Sequence, residues 1–106
     1  RISEVPLRPG MILSNEPGYY REGAFGIRLE NLIVVQQAPP LGDNRDQLCF
    51  ETLTFVPFDK RLIVKESLSP DELAWLNGYH DAVLAGLKER VSGTTKDWLE
   101  QACAPL

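Results

Sequence analysis

Residues 10–35 read GMILSNEPGYYREGAFGIRLENLIVV, and the fold turns on how this stretch is divided. Pro9-Gly10 marks a turn, and a short strand runs from about Met11 to Glu16 until Pro17-Gly18 breaks it. Phe25–Val35 is rich in β-branched and aromatic residues and predicts a second strand. Gly18 and Gly23 between them allow a wide loop. Side chains alternate along a strand, so Ile12, Ser14 and Glu16 share one face, as do Arg28, Glu30 and Leu32. If the two strands are neighbours, Glu16 and Glu30 come onto a common face with Arg28 beside them. Two carboxylates held close together cannot both stay ionised without positive charge nearby. A divalent cation supplies that charge, and an oxygen-rich set suits manganese, magnesium or calcium. On pattern alone, the commoner reading of such a trio is a solvated face or a surface ion pair.

Outward from this stretch, Gln36–Gln47 is polar and rich in Pro and Gly, a surface connection. Leu48–Phe58 predicts a third strand, ended or marked as an edge by Pro57, and Arg61–Lys65 (RLIVK) adds a short extended piece. The character then changes. Ser69 is placed to cap a helix, with Pro70 at its first position and Glu72 three residues after the cap. Leu73, Leu76, Tyr79, Val83, Leu87 and Val91 recur at helical spacing. Ser92-Gly93 stops that helix, and KDWLEQACA, from Lys96, predicts a second, short one. Antiparallel strands followed by a helical hairpin make an α+β arrangement.

The 106 residues suit one domain or part of a larger one, and a net charge of −4 offers no footprint for nucleic acid and no polybasic membrane patch. Apolar runs are only a few residues long, too short to span a bilayer as a helix. Arg1 opens the chain in place of methionine, which reads as a trimmed or partial sequence. Cys49 and Cys103 follow no C-x-x-C pattern and read as reduced thiols of a cytosolic protein. His80 on the first helix has no second ligand at helical spacing and reads as structural or surface. Trp75 and Trp98 read as core and helix-packing residues, while Tyr19 and Tyr20 could line a substrate pocket or pack in the loop.

GMILSNEPGYY followed by GAFGIRLENLIVV closely resembles the pita-bread metallopeptidases, and among them the long form of the Xaa-Pro aminopeptidases (aminopeptidase P). The pairing of NEPGYY with GIRLEN looks like that branch rather than methionine aminopeptidase, and the short spacer REGAF is similar to that of its cytosolic eukaryotic members and their bacterial relatives. FETLTFVPFDKRLI and the WLN and YH of the helix resemble the C-terminal extension, so the resemblance covers nearly the whole chain.

It implies residues 1–36 as the end of a pita-bread catalytic domain, 37–47 as a connection, and 48–106 as a C-terminal extension with a strand and two helices. By position, Glu16 resembles the metal-binding glutamate that serves as general acid and base, and Glu30 the carboxylate bridging two divalent ions, most often Mn²⁺. Arg28 resembles a residue that orients or balances those carboxylates. The family site also needs two aspartates and a histidine upstream, where this chain offers only Glu4. The expectation is therefore the C-terminal part of a cytoplasmic, homodimeric enzyme acting on peptides with proline second. The fragment by itself is expected to be metal-free and inactive. The competing expectation is a non-catalytic interaction and dimerisation module.

Overall fold

The computed structural model describes residues 3–106, so Arg1 lies outside the described residues. The chain divides after Thr54 into two compact units.

The first unit is built from strands. β1 (Ile12–Asn15) pairs antiparallel with β4 (Asn31–Gln37), and β4 pairs antiparallel with β5 (Leu48–Thr52), giving the order β1-β4-β5. β2 (Gly18–Arg21) and β3 (Phe25–Arg28) form a separate two-stranded ribbon. The first strand ends before Glu16-Pro17, in line with the break expected there, whereas the single strand expected over Phe25–Val35 is interrupted at Leu29-Glu30. Pro17 is the cause. It has no N–H, so the rung opposite Leu29 keeps one bond, Leu29 N–H to the Pro17 carbonyl at 3.2 Å, and lacks its reciprocal.

The wide loop expected around Gly18 and Gly23 is also corrected. Gly18–Arg21 is strand, and a tight turn closes through Ala24 N–H to the Arg21 carbonyl at 3.0 Å, with Gly23 at φ 70°. Among the described residues of this unit, Asn31 and Val35 alone are buried, both on β4.

The third strand, read from sequence as part of the C-terminal extension, hydrogen-bonds along β4, which is why the contact division falls after Thr54. It stops at Thr52, and residues 53–58 have no regular secondary structure, although Leu53 N–H still donates to the Leu32 carbonyl. RLIVK is extended only at Ile63 and Val64, between two 3₁₀ turns. A 3₁₀ turn at Lys60–Leu62 is capped by the Asp59 side chain accepting Arg61 N–H, and a second follows at Lys65–Ser67. The Arg61 guanidinium beside Asp59 holds that carboxyl down to about 2.

The second unit is helical. α1 (Pro70–Leu87) starts with the full capping box: the Ser69 hydroxyl accepts Glu72 N–H at 3.1 Å, and the Glu72 carboxylate accepts Ser69 N–H at 2.9 Å. α2 (Gly93–Ala102) begins after Ser92, at Gly93 with φ 58°. Tyr79 and Val83 pack with Leu99 and Cys103 as the core, flanked by Phe58, Leu84, Leu87 and Val91. Burial pushes the Cys103 thiol pKa up, so it remains an inert packing group.

Two side chains of α1 serve the backbone of the segment before it. Tyr79 donates its hydroxyl to the Val56 carbonyl at 2.6 Å and accepts Val56 N–H at 3.4 Å. His80, fully buried, accepts Phe58 N–H on Nε2 at 3.0 Å. The residue between, Pro57, has no amide to satisfy. His80 is therefore structural. Trp75 stacks on Tyr79 at 5.6 Å, but Trp75 and Trp98 remain more than half exposed, so neither is the core residue expected from its type.

Candidate metal-binding carboxylate pair

A single register runs through both ladders on either side of the interruption. Asn15 faces Asn31 and Gly18 faces Arg28, which leaves Glu16 facing Glu30 and Pro17 facing Leu29. The two glutamates are not inside strands, as expected from sequence; they lie at the interruption, where Leu29 N–H still bonds the Pro17 carbonyl and only the reciprocal bond is missing. That position serves a carboxylate well. A residue outside the ladder can reorient its side chain, while the rungs on both sides fix where its backbone begins and ends.

Glu16 is held by two neighbours. Ser14 donates to its Oε1 at 3.1 Å, and Arg28 donates Nη1 to its Oε2 at 3.0 Å. Arg28 sits diagonally across the interruption, the distance at which long side chains on one face meet. Both members of the ion pair are about half exposed, so it adds only about 0–1 kcal/mol to stability. Its consequence is orientation. One donor occupies each oxygen of Glu16, out of roughly four acceptor positions on a carboxylate, and the rest stay open to a cation. Glu30 is exposed, directly across from Glu16 in register. Oxygen donors of this kind fit a hard or borderline divalent ion. The set is partial: among the described residues, no three His, Cys, Asp or Glu side chains group to hold a metal.

The two tyrosines part company. Tyr20 faces Gly26, and its ring lies across both Gly26 and Gly18; a Cβ at Gly26 would come within 2.8 Å of the ring, and one at Gly18 within 2.8 Å of both the Tyr20 hydroxyl and Arg28 Cγ. Tyr20 thus shares the face of Arg28, and the two glycines make the room. Tyr19 alternates to the other face, where its ring meets Phe25 at a centroid distance of 6.0 Å. Sequence reasoning missed Ser14 as a partner of Glu16. The signal was present, since a residue two positions away on a strand shares its face.

A model of the "C-terminal region of peptidase_M24" matches residues 46–106, and a model of "Metallopeptidase family M24" matches residues 1–37. The chain belongs to metallopeptidase family M24. It is 45% identical to a probable Xaa-Pro aminopeptidase P of Metarhizium robertsii over 111 residues, covering 100% of this chain and 18% of that protein. It is 44% identical to aminopeptidase P2 of Arabidopsis thaliana over 105 residues, 96% of this chain and 15% of that protein. Its structure matches the crystal structure of X-prolyl aminopeptidase from Caenorhabditis elegans with a TM-score of 0.84 at 33% identity, over 100% of this chain and 18% of that one. That protein is described as a cytosolic enzyme with a di-nuclear active site. The chain therefore spans under a fifth of the length of these M24 relatives. The α+β arrangement expected from its sequence, pita-bread strands followed by two helices, is the one observed.

Proposed function

We propose that this chain is the C-terminal part of a Xaa-Pro aminopeptidase, a hydrolase that releases the N-terminal residue from peptides with proline second. One observation carries the reading: Glu16 and Glu30 face each other at the interruption of the paired strands, with Arg28 and Ser14 orienting Glu16. In this reading Glu16 and Glu30 would be the residues of this chain that hold the divalent ions, whose identity as Mn²⁺ rests on the family resemblance. When bound, the ions supply the Lewis acidity that polarises a peptide carbonyl and acidifies water.

The chain's own residues do the rest. Glu16 takes up and returns a proton through a carboxylate that Ser14 and Arg28 keep aimed. Arg28 balances charge beside two carboxylates that would otherwise repel. Tyr20, on the same face, forms part of the wall against which the substrate lies, and Tyr19 with Phe25 stiffens the ribbon behind it. Residues 1–36 then belong to the catalytic domain, 37–47 connect, and 48–106 extend it. The whole enzyme is cytoplasmic and homodimeric in this proposal. No helix among the described residues is long and apolar enough to cross a membrane.

Replacing Glu30 by Gln in the whole enzyme tests the reading, because a neutral amide cannot supply negative charge. Turnover of a Xaa-Pro peptide is expected to fall by more than about 100-fold, with loss of bound metal. Retention of most activity removes Glu30 from the site. A second reading, a non-catalytic dimerisation module, is favoured by the separate core of residues 55–106. It prevails if the whole protein binds no metal.

A further inference from the structure

Glu30 stands outside both ladders, and a carboxylate that would hold a divalent ion must be placed within a fraction of an ångström. Its backbone is anchored on each side. Upstream, Leu29 N–H is bound by the Pro17 carbonyl at 3.2 Å. Downstream, Asn31 pairs with Asn15 and is buried on β4.

The next rung is irregular. Ile33 faces Thr52, so Leu32 faces Leu53, and a regular antiparallel rung there would exchange two backbone bonds. One is made: Leu53 N–H donates to the Leu32 carbonyl at 2.8 Å. The other is replaced. Leu32 N–H donates at 2.8 Å to the hydroxyl oxygen of Thr54. β5 has ended two residues earlier, yet a side chain beyond its end completes the ladder beside Glu30. From the Leu29 amide to the Leu32 amide the extended chain covers about 10 Å. Glu30 and Asn31 therefore sit between two fixed amides, one held by proline's carbonyl and one by a threonine hydroxyl.

We propose that Thr54, by accepting the Leu32 amide, is a positioning residue for the Glu30 carboxylate and so sets the affinity of this site for its divalent ions. The inference rests on the reading of Glu30 as a metal ligand. Thr54 touches neither ion nor substrate; it fixes the backbone that presents the ligand. Serine keeps the acceptor, whereas valine keeps the shape and leaves the Leu32 amide without it.

The test uses the whole enzyme with Thr54→Val, Thr54→Ser and Glu30→Gln. Mn²⁺ is titrated calorimetrically, and amide exchange of the peptide containing Leu32 is followed by mass spectrometry. Thr54→Val is expected to lose about 10–100-fold in Mn²⁺ affinity and to exchange faster at Leu32, while Thr54→Ser stays close to the native protein in both. A strand end that only adds stability predicts faster exchange in Thr54→Val with native Mn²⁺ affinity, and that result overturns the proposal. Equal losses in the Ser and Val variants overturn it too, since the hydroxyl would then not be the cause. If Glu30→Gln binds Mn²⁺ as tightly as the native protein, the ligand reading of Glu30 fails and takes this one with it. If Glu30→Gln loses the metal and Thr54→Val does not, Thr54 alone is wrongly assigned.

Discussion

The two units of the chain divide labour in opposite ways. Residues 55–106 carry a closed core of Tyr79, Val83, Leu99 and Cys103 and no candidate catalytic group. The strand unit carries Glu16, Arg28 and Glu30 but buries only Asn31 and Val35 among its described residues. It leaves Ile12, Tyr19, Phe25, Ile27, Leu29 and Leu32 exposed, all between 42% and 63%. These side chains fall on both faces, Ile12 and Leu32 on one and Tyr19, Phe25, Ile27 and Leu29 on the other, and apolar surface of this extent is of the kind that meets more protein. The chain spans 18% of the length of the Metarhizium robertsii relative, so such further protein exists in the family. The unit that carries the candidate carboxylates is the one with the larger exposed apolar surface. The helical unit packs its own interior and serves the Val56 and Phe58 backbone with its own side chains.

The contrast can be broken most easily by one mutation in each unit. Leu76→Ala removes a buried side chain of α1 and is expected to cost about 2–5 kcal/mol of stability. Ile12→Ala, at 62% exposure on β1, is expected to stay within about 0.5 kcal/mol. Chemical denaturation of both variants of this chain measures the difference. Equal effects would mean that the strand unit has an interior of its own.

A smaller effect is expected where α1 serves the preceding segment. Tyr79→Phe keeps the packing but strips Val56 of the partner for its carbonyl and its amide, costing about 1–3 kcal/mol. Denaturation midpoints unchanged from the native chain would show that water replaces the hydroxyl without loss.

The smallest is a pH effect at His80. Burial, with Lys60 adding repulsion and Asp81 opposing it, lowers the His80 pKa below 6.5, and Phe58 N–H requires Nε2 to be unprotonated. The unfolded chain therefore binds the proton first as pH falls. The stabilisation is complete above pH 6.5 and declines as the pH drops through 6.5 toward the folded value. A His80→Gln variant is expected to lose this slope; an identical slope in the variant assigns the effect to the carboxylates instead.

Legibility followed the range of the interactions. The start of α1 was readable because Ser69, Pro70 and Glu72 act on one another within a single turn, and the capping box is present in full. The shared face of Glu16 and Arg28 was readable from alternation, and their ion pair is observed. The gap at Leu29-Glu30 was not, because nothing at those positions breaks a strand; its cause is Pro17, on the opposite chain segment. The turn at Lys60–Leu62 was hidden by apolar, β-favouring neighbours, and Asp59 decides it by capturing the Arg61 amide. The exposure of Trp75 and Trp98 depends on what surrounds them, which residue type does not specify.

The interruption at Pro17 has a further meaning for the sheet as a device. A β-ladder is self-healing: every residue brings a donor and an acceptor, so a flaw on one strand is normally bridged by the next pair. Proline withholds one hydrogen, and the healing stops for the length of a single rung. On either side the register resumes unchanged, Asn15 with Asn31 and Gly18 with Arg28. The flaw is therefore silent in alignment, like a dropped stitch that leaves the weave in step. Glu16 and Glu30 stand at that flaw, and their meeting place is defined by an atom that is not there.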